Sequence, residues 1–572
     1  MGLLRLYLER CLPPNRAADP PRLLAGAMTL ALLFFSSYLQ VQAQTKPYDY
    51  LIKNALVFDG DSFEPARQDI AIAGNWILQI GQFSAEDAKQ VVDGEGLFAA
   101  PGFIDIHTHS DFNPFVYREL GNKVAQGVTT EVIGNCGMSA APVIDLHKQF
   151  MAQVWRREGV ETPADIPWQS YADYVSETEY QGLETNFVGL VGHGNIRSAV
   201  MGMEPRAAKP DELEAMKKIL AESLKEGAYG VSFGLVYLPG VFADHNELVS
   251  LCHEAALQDK LCAFHIRSEG KNLTQAIQEA IDIGREAKAR VHISHLKAAG
   301  QSNWPKIKEA FQLIEKAQAE GLQVSADAYP YTASFAELGV VLPDDLYQYQ
   351  QRVPYFKDLK KRGKILRDLR KYYTANPRSW DNVRIATVTT PKNSPLQGKS
   401  IADITKESGK PPVEVLVNLL AEEEFQVSAF YFSQSPAVLE QVLSKPYVSV
   451  GSDSIADGSA MPHPRAYGTF PKMLSFCLPN TDARKNSCWG RTIHQMTALP
   501  AQVFGIKKRG RILPGFFADV VLFNPSSVKD GGDYAHPKVK PEGIEWVFVN
   551  GKPVIQKGKY APAQSGLFLE DN

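Results

Sequence analysis

The sequence predicts an α/β fold: a (β/α)8, TIM-like barrel joined to a small β-sandwich domain built from both chain ends, with an insertion before the last barrel strand. Three observations predict it. Short apolar, β-rich runs alternate with helical stretches through the middle of the 572-residue chain. Both ends carry clustered short strands with turn residues between them. A His-x-His pair, a cysteine, two later histidines and an aspartate each stand at the end of a middle strand.

The eight middle runs are Phe103–Ile106, Thr129–Ile133, Phe187–Val191, Gly230–Phe233, Leu261–Phe264, Val291–Ile293, Gln323–Ala326 and Tyr447–Val450. Helix-patterned stretches such as Asp211–Glu226, Leu273–Ala287 and Trp304–Glu320 separate most of them. The count is overfull, because Arg384–Val388 and Ser428–Phe432 are also strand-like. A basic, helix-forming stretch from Asp344 to Tyr373 precedes the last barrel strand and reads as an insertion or lid, at about 343–410. Near the N-terminus, Tyr50–Ile52, Ala55–Phe58, Ile70–Ile72 and Trp76–Ile80 are β-rich and are separated by Gly60, Gly74-Asn75 and Gly81. Ala518–Phe523 and Ile544–Val549 have the same texture, and Asn550-Gly551 signals a tight turn. The expected organisation is a leader over 1–43, a β-sandwich from 44–98 and 508–572, and a barrel over 99–507.

Hydrophobic residues make up 44% and charged residues 22%, as in an ordinary globular chain. A net charge of −4 gives no support for nucleic acid as a partner. The six cysteines form no CxxC pair and no dense framework, so they do not read as a disulfide scaffold. Arg5, Arg10, Arg16 and Arg22 precede the apolar run Leu23–Leu39, and Val41-Gln42-Ala43 follows as a cleavage-site pattern. Basic, apolar, then small is the pattern of a secretory signal peptide. It implies a periplasmic or secreted protein, membrane-anchored only if the leader stays attached. No later stretch is apolar enough to span a bilayer.

The strongest local pattern is Pro101-Gly102-Phe103-Ile104-Asp105-Ile106-His107-Thr108-His109. Alternate residues of a strand share a face, so His107 and His109 project together at the strand end, where barrel enzymes keep their active sites. Two imidazoles on one face suit a divalent metal such as zinc. Cys136, in Gly134-Asn135-Cys136-Gly137, is either a thiolate ligand or a small buried thiol. His265 and His295 end the strands Leu261–Phe264 and Val291–Ser294, 30 residues apart, about one strand–helix unit. Asp453, in Val450-Gly451-Ser452-Asp453-Ser454, is either a turn aspartate or a carboxylate able to move a proton beside a metal. His292 lies three residues before His295, on the opposite face, and reads as structural. His193, in Gly192-His193-Gly194, reads as pocket-lining or structural. His147, His245, His253, His463, His494 and His536 lack strand-end context and read as structural.

Taken in order, these stretches resemble the amidohydrolase superfamily and, within it, the N-acyl-D-amino-acid deacylase (D-aminoacylase) family. The resemblance runs from about Tyr48 to about Gly558. It rests on PGFIDIHTHSD (101–111), GVTTEVIGNCGMS (127–139), HIRSEG (265–270), ISHLKAAG (293–300), DAYPYTAS (327–334), VGSDS (450–454) and HPRAYGTFPK (463–472), with PGFFADVVLF and EGIEWVFVNG nearer the end. It implies a Zn2+-dependent hydrolase of linear amides acting on a small-molecule substrate. Cys136, His265 and His295 are implied to hold one tightly bound zinc. His107, His109 and Asp453 would form a weaker second metal site, with Asp453 also the general base and then acid. Lys297, Tyr329 and Arg465 are implied to grip the substrate carboxylate, with Tyr331 close enough to take the place of Tyr329. Many members of the superfamily bridge two metals with a carboxylated lysine. No lysine stands at an equivalent strand end here; Cys136 takes that place, which argues against dihydroorotase and hydantoinase.

Two other functions are compatible with the sequence. A dipeptidase acting on L-Xaa-D-Xaa peptides would meet the same acylated D-residue. A barrel that has lost catalysis and serves as a binding module would have lost ligands, and here the full set is present.

Overall fold

The computed structural model describes residues 46–117, 120–143, 162–163, 165–347, 351–455, 461–478 and 485–570. The expected leader and His147 lie outside them. The barrel strands are β1 (Phe103–Asp105), β2 (Val128–Ile133), β3 (Asn186–Gly189, continued by Val191–Gly192), β4 (Gly230–Gly234), β5 (Leu261–His265), β6 (Arg290–Ile293), β7 (Val324–Ala328) and β8 (Val448–Val450). All neighbours pair parallel. The ring closes through a bridge between Thr108 and Ser454, with Asp453 N donating to His107 O at 2.8 Å and His109 N to Ser454 O at 3.0 Å. The closure therefore falls on the residues that the sequence singles out. Parallel strands covered on both faces read as continuous apolar runs, and this is why all eight were visible in sequence.

The helix Leu273–Ala287 shows how the outer ring is held. Leu273, Ala276, Ile277, Ala280, Ile281 and Gly284 are buried at three- and four-residue spacing, one apolar stripe facing the sheet. At Gly284 the helix comes so near β6 that a Cβ would lie 2.2 Å from Val291 Cγ2.

Both chain ends build a two-sheet domain. Tyr48–Lys53, Asp69–Ala73, Trp76–Gly81 and Ala88–Asp93 form one sheet. Leu56–Val57, Ala66–Arg67 and Phe98–Pro101 join Val520–Phe523, Ile544–Val549, Lys552–Gln556 and Lys559–Tyr560 in the other. Ile52, Ile70, Ile72, Val520, Leu522 and Phe548 fill one core drawn from the two sheets. The turn at Asn550-Gly551 has φ of 48° and 76°, as a two-residue hairpin requires. The final strand, Phe568–Leu569, leaves this domain and pairs with β3 instead, so part of the expected 508–572 segment belongs to the barrel sheet. Phe568 is drawn there by Tyr171, Tyr174 and Phe187, whose rings surround it.

Between β7 and β8 a separate unit has its own antiparallel sheet of Ala333–Glu337, Ser428–Phe432 and Val383–Thr387. It packs on a core that includes Phe356, Leu369, Ile385, Leu416 and Phe425. It therefore extends beyond the expected 343–410 on both sides. The two surplus strand-like runs belong here, because β propensity marks a strand but not its partner. The described cysteines also include one disulfide, Cys477–Cys488.

Candidate active site

Three candidate ligands sit on left-handed backbone: Cys136 at φ 56°, His295 at φ 37° and Asp453 at φ 50°. Each such residue costs about 1–2 kcal/mol. Strain of this kind concentrates at functional sites. Around Cys136 the chain is pressed against its neighbours. A Cβ on Gly134 would lie 2.2 Å from Leu190 O, and one on Gly137 2.5 Å from Gly234 N. Only glycine fits there, at φ 74° and 75°, so the Gly-Asn-Cys-Gly turn aims the thiol inward from the end of β2.

The structure brings all six sequence-predicted ligands together. Cys136 Sγ lies 3.3 Å from His107 Nε2 and 3.6 Å from His295 Nε2. His295 Nε2 lies 3.0 Å from His265 Nδ1. Asp453 Oδ1 is 3.5 Å from His107 Nε2 and 3.4 Å from His109 Nε2. Two groups result, His107/His109/Cys136/Asp453 and Cys136/His265/His295, with the donor atoms of each within 4.8 Å of one another. Cys136 belongs to both.

The electrostatics suit a cation. Burial resists ionisation of Cys136, but His107, His109 and His265 outweigh it and hold the thiol well below its ordinary value. Burial also opposes a charge on His109, yet bonds to Asp453 and Cys136 push it up to about 9. Asp453 is likewise held well below the carboxylate range, against burial, chiefly by Arg465. Two buried anions thus keep protons on imidazoles. A divalent cation takes the place of such protons, and thiolate, imidazole and carboxylate are the donors zinc prefers.

A cavity of about 970 Å³ opens over this cluster, and Lys297, Tyr329 and Arg465 all line it. Lys297 Nζ is bound by Glu269 and lies 2.9 Å from His295 Nδ1. Arg465 Nη1 donates to Asp453 Oδ2 at 2.8 Å. The Arg465 guanidinium also lies 4.7 Å from the Tyr329 ring centroid. Tyr329 Oη is buried and has no hydrogen-bond partner in the protein. Tyr331 points elsewhere: its hydroxyl lies 3.4 Å from Asp530 and its ring packs on His463. His193 does not line the cavity; its Nε2 lies 2.7 Å from Glu247. His292 stays out of the metal cluster, as its strand face predicts, but bonds Asp327.

Two residues were missed. Asp327 bonds His107, and Glu269 lies 2.7 Å from His295 Nδ1. Both fall inside motifs already noted. For Asp327 the available signal was a charged residue within the apolar strand Val324–Ala328, which is rarely buried unless paired; Glu269 lies in the loop after β5 and carried no such signal.

A parallel eight-stranded ring with this donor set at one end defines a metal-dependent hydrolase of the barrel type. The comparisons agree. An amidohydrolase family model matches residues 90–343. The D-aminoacylase of Alcaligenes xylosoxydans xylosoxydans is 31% identical, covering 92% of this chain and 99% of its own. The N-acyl-D-glutamate deacylase of the same organism is 32% identical over 89% and 93%. A crystal structure of N-acyl-D-glutamate deacylase from Bordetella bronchiseptica, complexed with zinc and a phosphonate mimic of the reaction's tetrahedral intermediate, matches with a TM-score of 0.77. It shares 30% identity over 91% of this chain and 99% of that one. The chain belongs to the D-aminoacylase family of amidohydrolases and is a metal-dependent amidohydrolase.

Proposed function

We propose that this enzyme hydrolyses the amide bond of N-acyl-D-amino acids, releasing a carboxylic acid and a D-amino acid. One observation carries the reading: Asp453, His109, His265 and His295, drawn from two metal-donor groups that share Cys136, line the same cavity as Lys297, Tyr329 and Arg465. Cations and a hydroxyl able to bind a carboxylate, beside a metal-donor set able to support amide cleavage, are what hydrolysis of an N-acyl amino acid needs. The substrates named for the similar deacylases support the same class.

The donor set fits zinc, with Cys136, His265 and His295 as the tighter site and His107, His109 and Asp453 as a weaker second one. Zinc, when bound, supplies Lewis-acid polarisation of the amide carbonyl and lowers the pKa of water from about 15.7 toward about 7. Asp453 takes the proton of the attacking water and passes it to the departing amine. Lys297 and Arg465 offer a point charge and a planar fork to the substrate carboxylate, and the unpartnered Tyr329 hydroxyl donates to it. Arg465 has a second task, since it also holds the Asp453 carboxylate.

Parallel assays of amine release from N-acetyl-D- and N-acetyl-L-amino acids, with and without a chelator, test this. The expected result is D-selective, chelator-sensitive hydrolysis; turnover of the L series alone would overturn it. The cavity's about 970 Å³ also accommodates an L-Xaa-D-Xaa dipeptide, which presents the same carboxylate and amide, so such peptides belong in the panel. Export is proposed as well. Its support is the leader pattern together with the Cys477–Cys488 disulfide, a bond that persists in oxidising compartments. Among the described residues no helix is long and apolar enough to cross a membrane. Cell fractionation that finds the protein only in the cytosol would overturn export.

A further inference from the structure

We infer that Lys123, a buried residue ahead of β2, is a positioning residue for Asp453, His107 and His109. The inference rests on the reading of Asp453 as proton carrier and of these three residues as the weaker metal site. It adds a residue that does not line the substrate cavity. The barrel seam sets the problem that Lys123 solves. Other neighbours in the ring share continuous ladders, but β1 and β8 meet at the isolated bridge between Thr108 and Ser454. Asp453 lies in that seam on left-handed backbone, at φ 50°, a conformation that persists only where its surroundings enforce it.

Lys123 Nζ donates to Asp105 Oδ2 at 2.6 Å, Ser454 Oγ at 2.8 Å and Ser452 Oγ at 3.1 Å, and lies 3.4 Å from Glu131 Oε2. An ammonium has three hydrogens to give, and each has an acceptor here. Every acceptor leads to a member of the His107/His109/Asp453 group. Ser452 and Ser454 stand on either side of Asp453. Asp105, two residues before His107, accepts from Ser452 N at 2.8 Å and Ser452 Oγ at 2.6 Å, which ties β1 to the end of β8. Glu131 accepts at 2.6 Å from Ser110 Oγ, on the residue after His109, and its other oxygen is held by Thr185 Oγ1 at 2.7 Å. His265 and His295 end β5 and β6, which none of these bonds reaches. Stability alone does not explain the arrangement. Apolar side chains of the same volume hold a core as well as buried charges do, without the cost of stripping water from them. What charges and hydroxyls add is direction, and here all of it converges on one of the two donor groups.

The test compares the native enzyme with Lys123→Met and with the milder double variant Ser452→Ala/Ser454→Ala, which leaves Lys123 paired with Asp105. Two measurements are made: the affinities of the metal-free protein for a first and a second zinc, by chelator competition, and kcat and KM for N-acetyl-D-leucine with one equivalent of zinc bound. The first zinc and KM are expected to stay within about twofold of native, while the second zinc weakens by about 10–100-fold. The kcat is expected to fall by about 10–100-fold, the scale of a displacement of about 1 Å, with the serine variant at the lower end. Native second-zinc affinity and native kcat in a folded Lys123→Met enzyme overturn the inference. An equal fall at both zinc sites overturns it too, since a generally loosened fold gives that result. If Lys123→Met does not fold, the serine variant decides by the same two outcomes. If the native chain takes up a single zinc, kcat decides alone, and an unchanged kcat overturns the inference. Absence of turnover with any N-acetyl-D-amino acid removes the parent reading, and the second-zinc affinity then decides this one by itself.

Discussion

The Asp327 carboxylate stands 3.1 Å from His107 Nδ1, and neither side chain has any exposed surface. The same oxygen lies 2.9 Å from His292 Nε2, while its other oxygen accepts from His295 N at 2.9 Å. One carboxylate thereby fixes His107 with Nδ1–H donating, which turns Nε2 to the metal cluster. It also fixes the strained backbone of His295 in the other donor group. Partners of this kind set ligand orientation and basicity.

Asp327→Asn keeps the shape and removes the charge. Metal affinity is expected to fall by about 10–100-fold. Competition with a chromogenic chelator measures it, and circular dichroism confirms the fold. Affinity equal to the native value would show that His107 and His295 need no such support.

Asp453→Asn separates proton transfer from metal binding. Cys136, His265 and His295 are untouched by it, so zinc retention at that group is expected to persist. Loss of the proton carrier is expected to cost about 10²–10⁴ in kcat. Metal analysis beside steady-state kinetics checks both halves. Near-native turnover with zinc bound would take Asp453 out of the mechanism.

The barrel was legible because its parallel strands are buried on both faces, and the ligands because each follows such a run. The distances within the cluster were not legible. They depend on ring closure at Thr108–Ser454 and on three left-handed residues, neither of which a propensity encodes. Asp327 and Glu269 were missed for a related reason. A single aspartate in Val324–Ala328 looks like a break in the apolar pattern until β6 places His292 beside it. The insertion was underestimated because Ala333–Glu337 pairs with Ser428–Phe432, so that Ala333 finds its partner Phe432 99 positions later in the chain.

Arg465 touches Asp453 as well as the cavity, so its removal should differ from that of Lys297. Arg465→Met is expected to raise KM and also lower kcat, because Asp453 loses the charge that keeps it ionised. A rise in KM alone would mean that Arg465 serves only the substrate carboxylate. Initial-rate kinetics over a range of N-acetyl-D-leucine concentrations separates the two outcomes.

A last prediction concerns stability away from the site. Glu247, buried between the helices His193–Met201 and His245–Ala256, bonds His193 at 2.7 Å and pairs with Arg197. Burial resists its charge, but His193 and Arg197 outweigh burial and lower its carboxyl below the ordinary value. A depressed folded value means that the stabilisation is complete above the unfolded pKa, about 4.3, and is lost as pH falls through the lower folded one. Glu247→Gln leaves Arg197 buried without its counter-charge and is expected to cost about 3–5 kcal/mol at pH 7. Urea midpoints of the two proteins should therefore lie far apart at neutral pH and converge once the pH drops below about 4.3. A gap of constant size across that range would mean that the Glu247 charge contributes nothing beyond its shape.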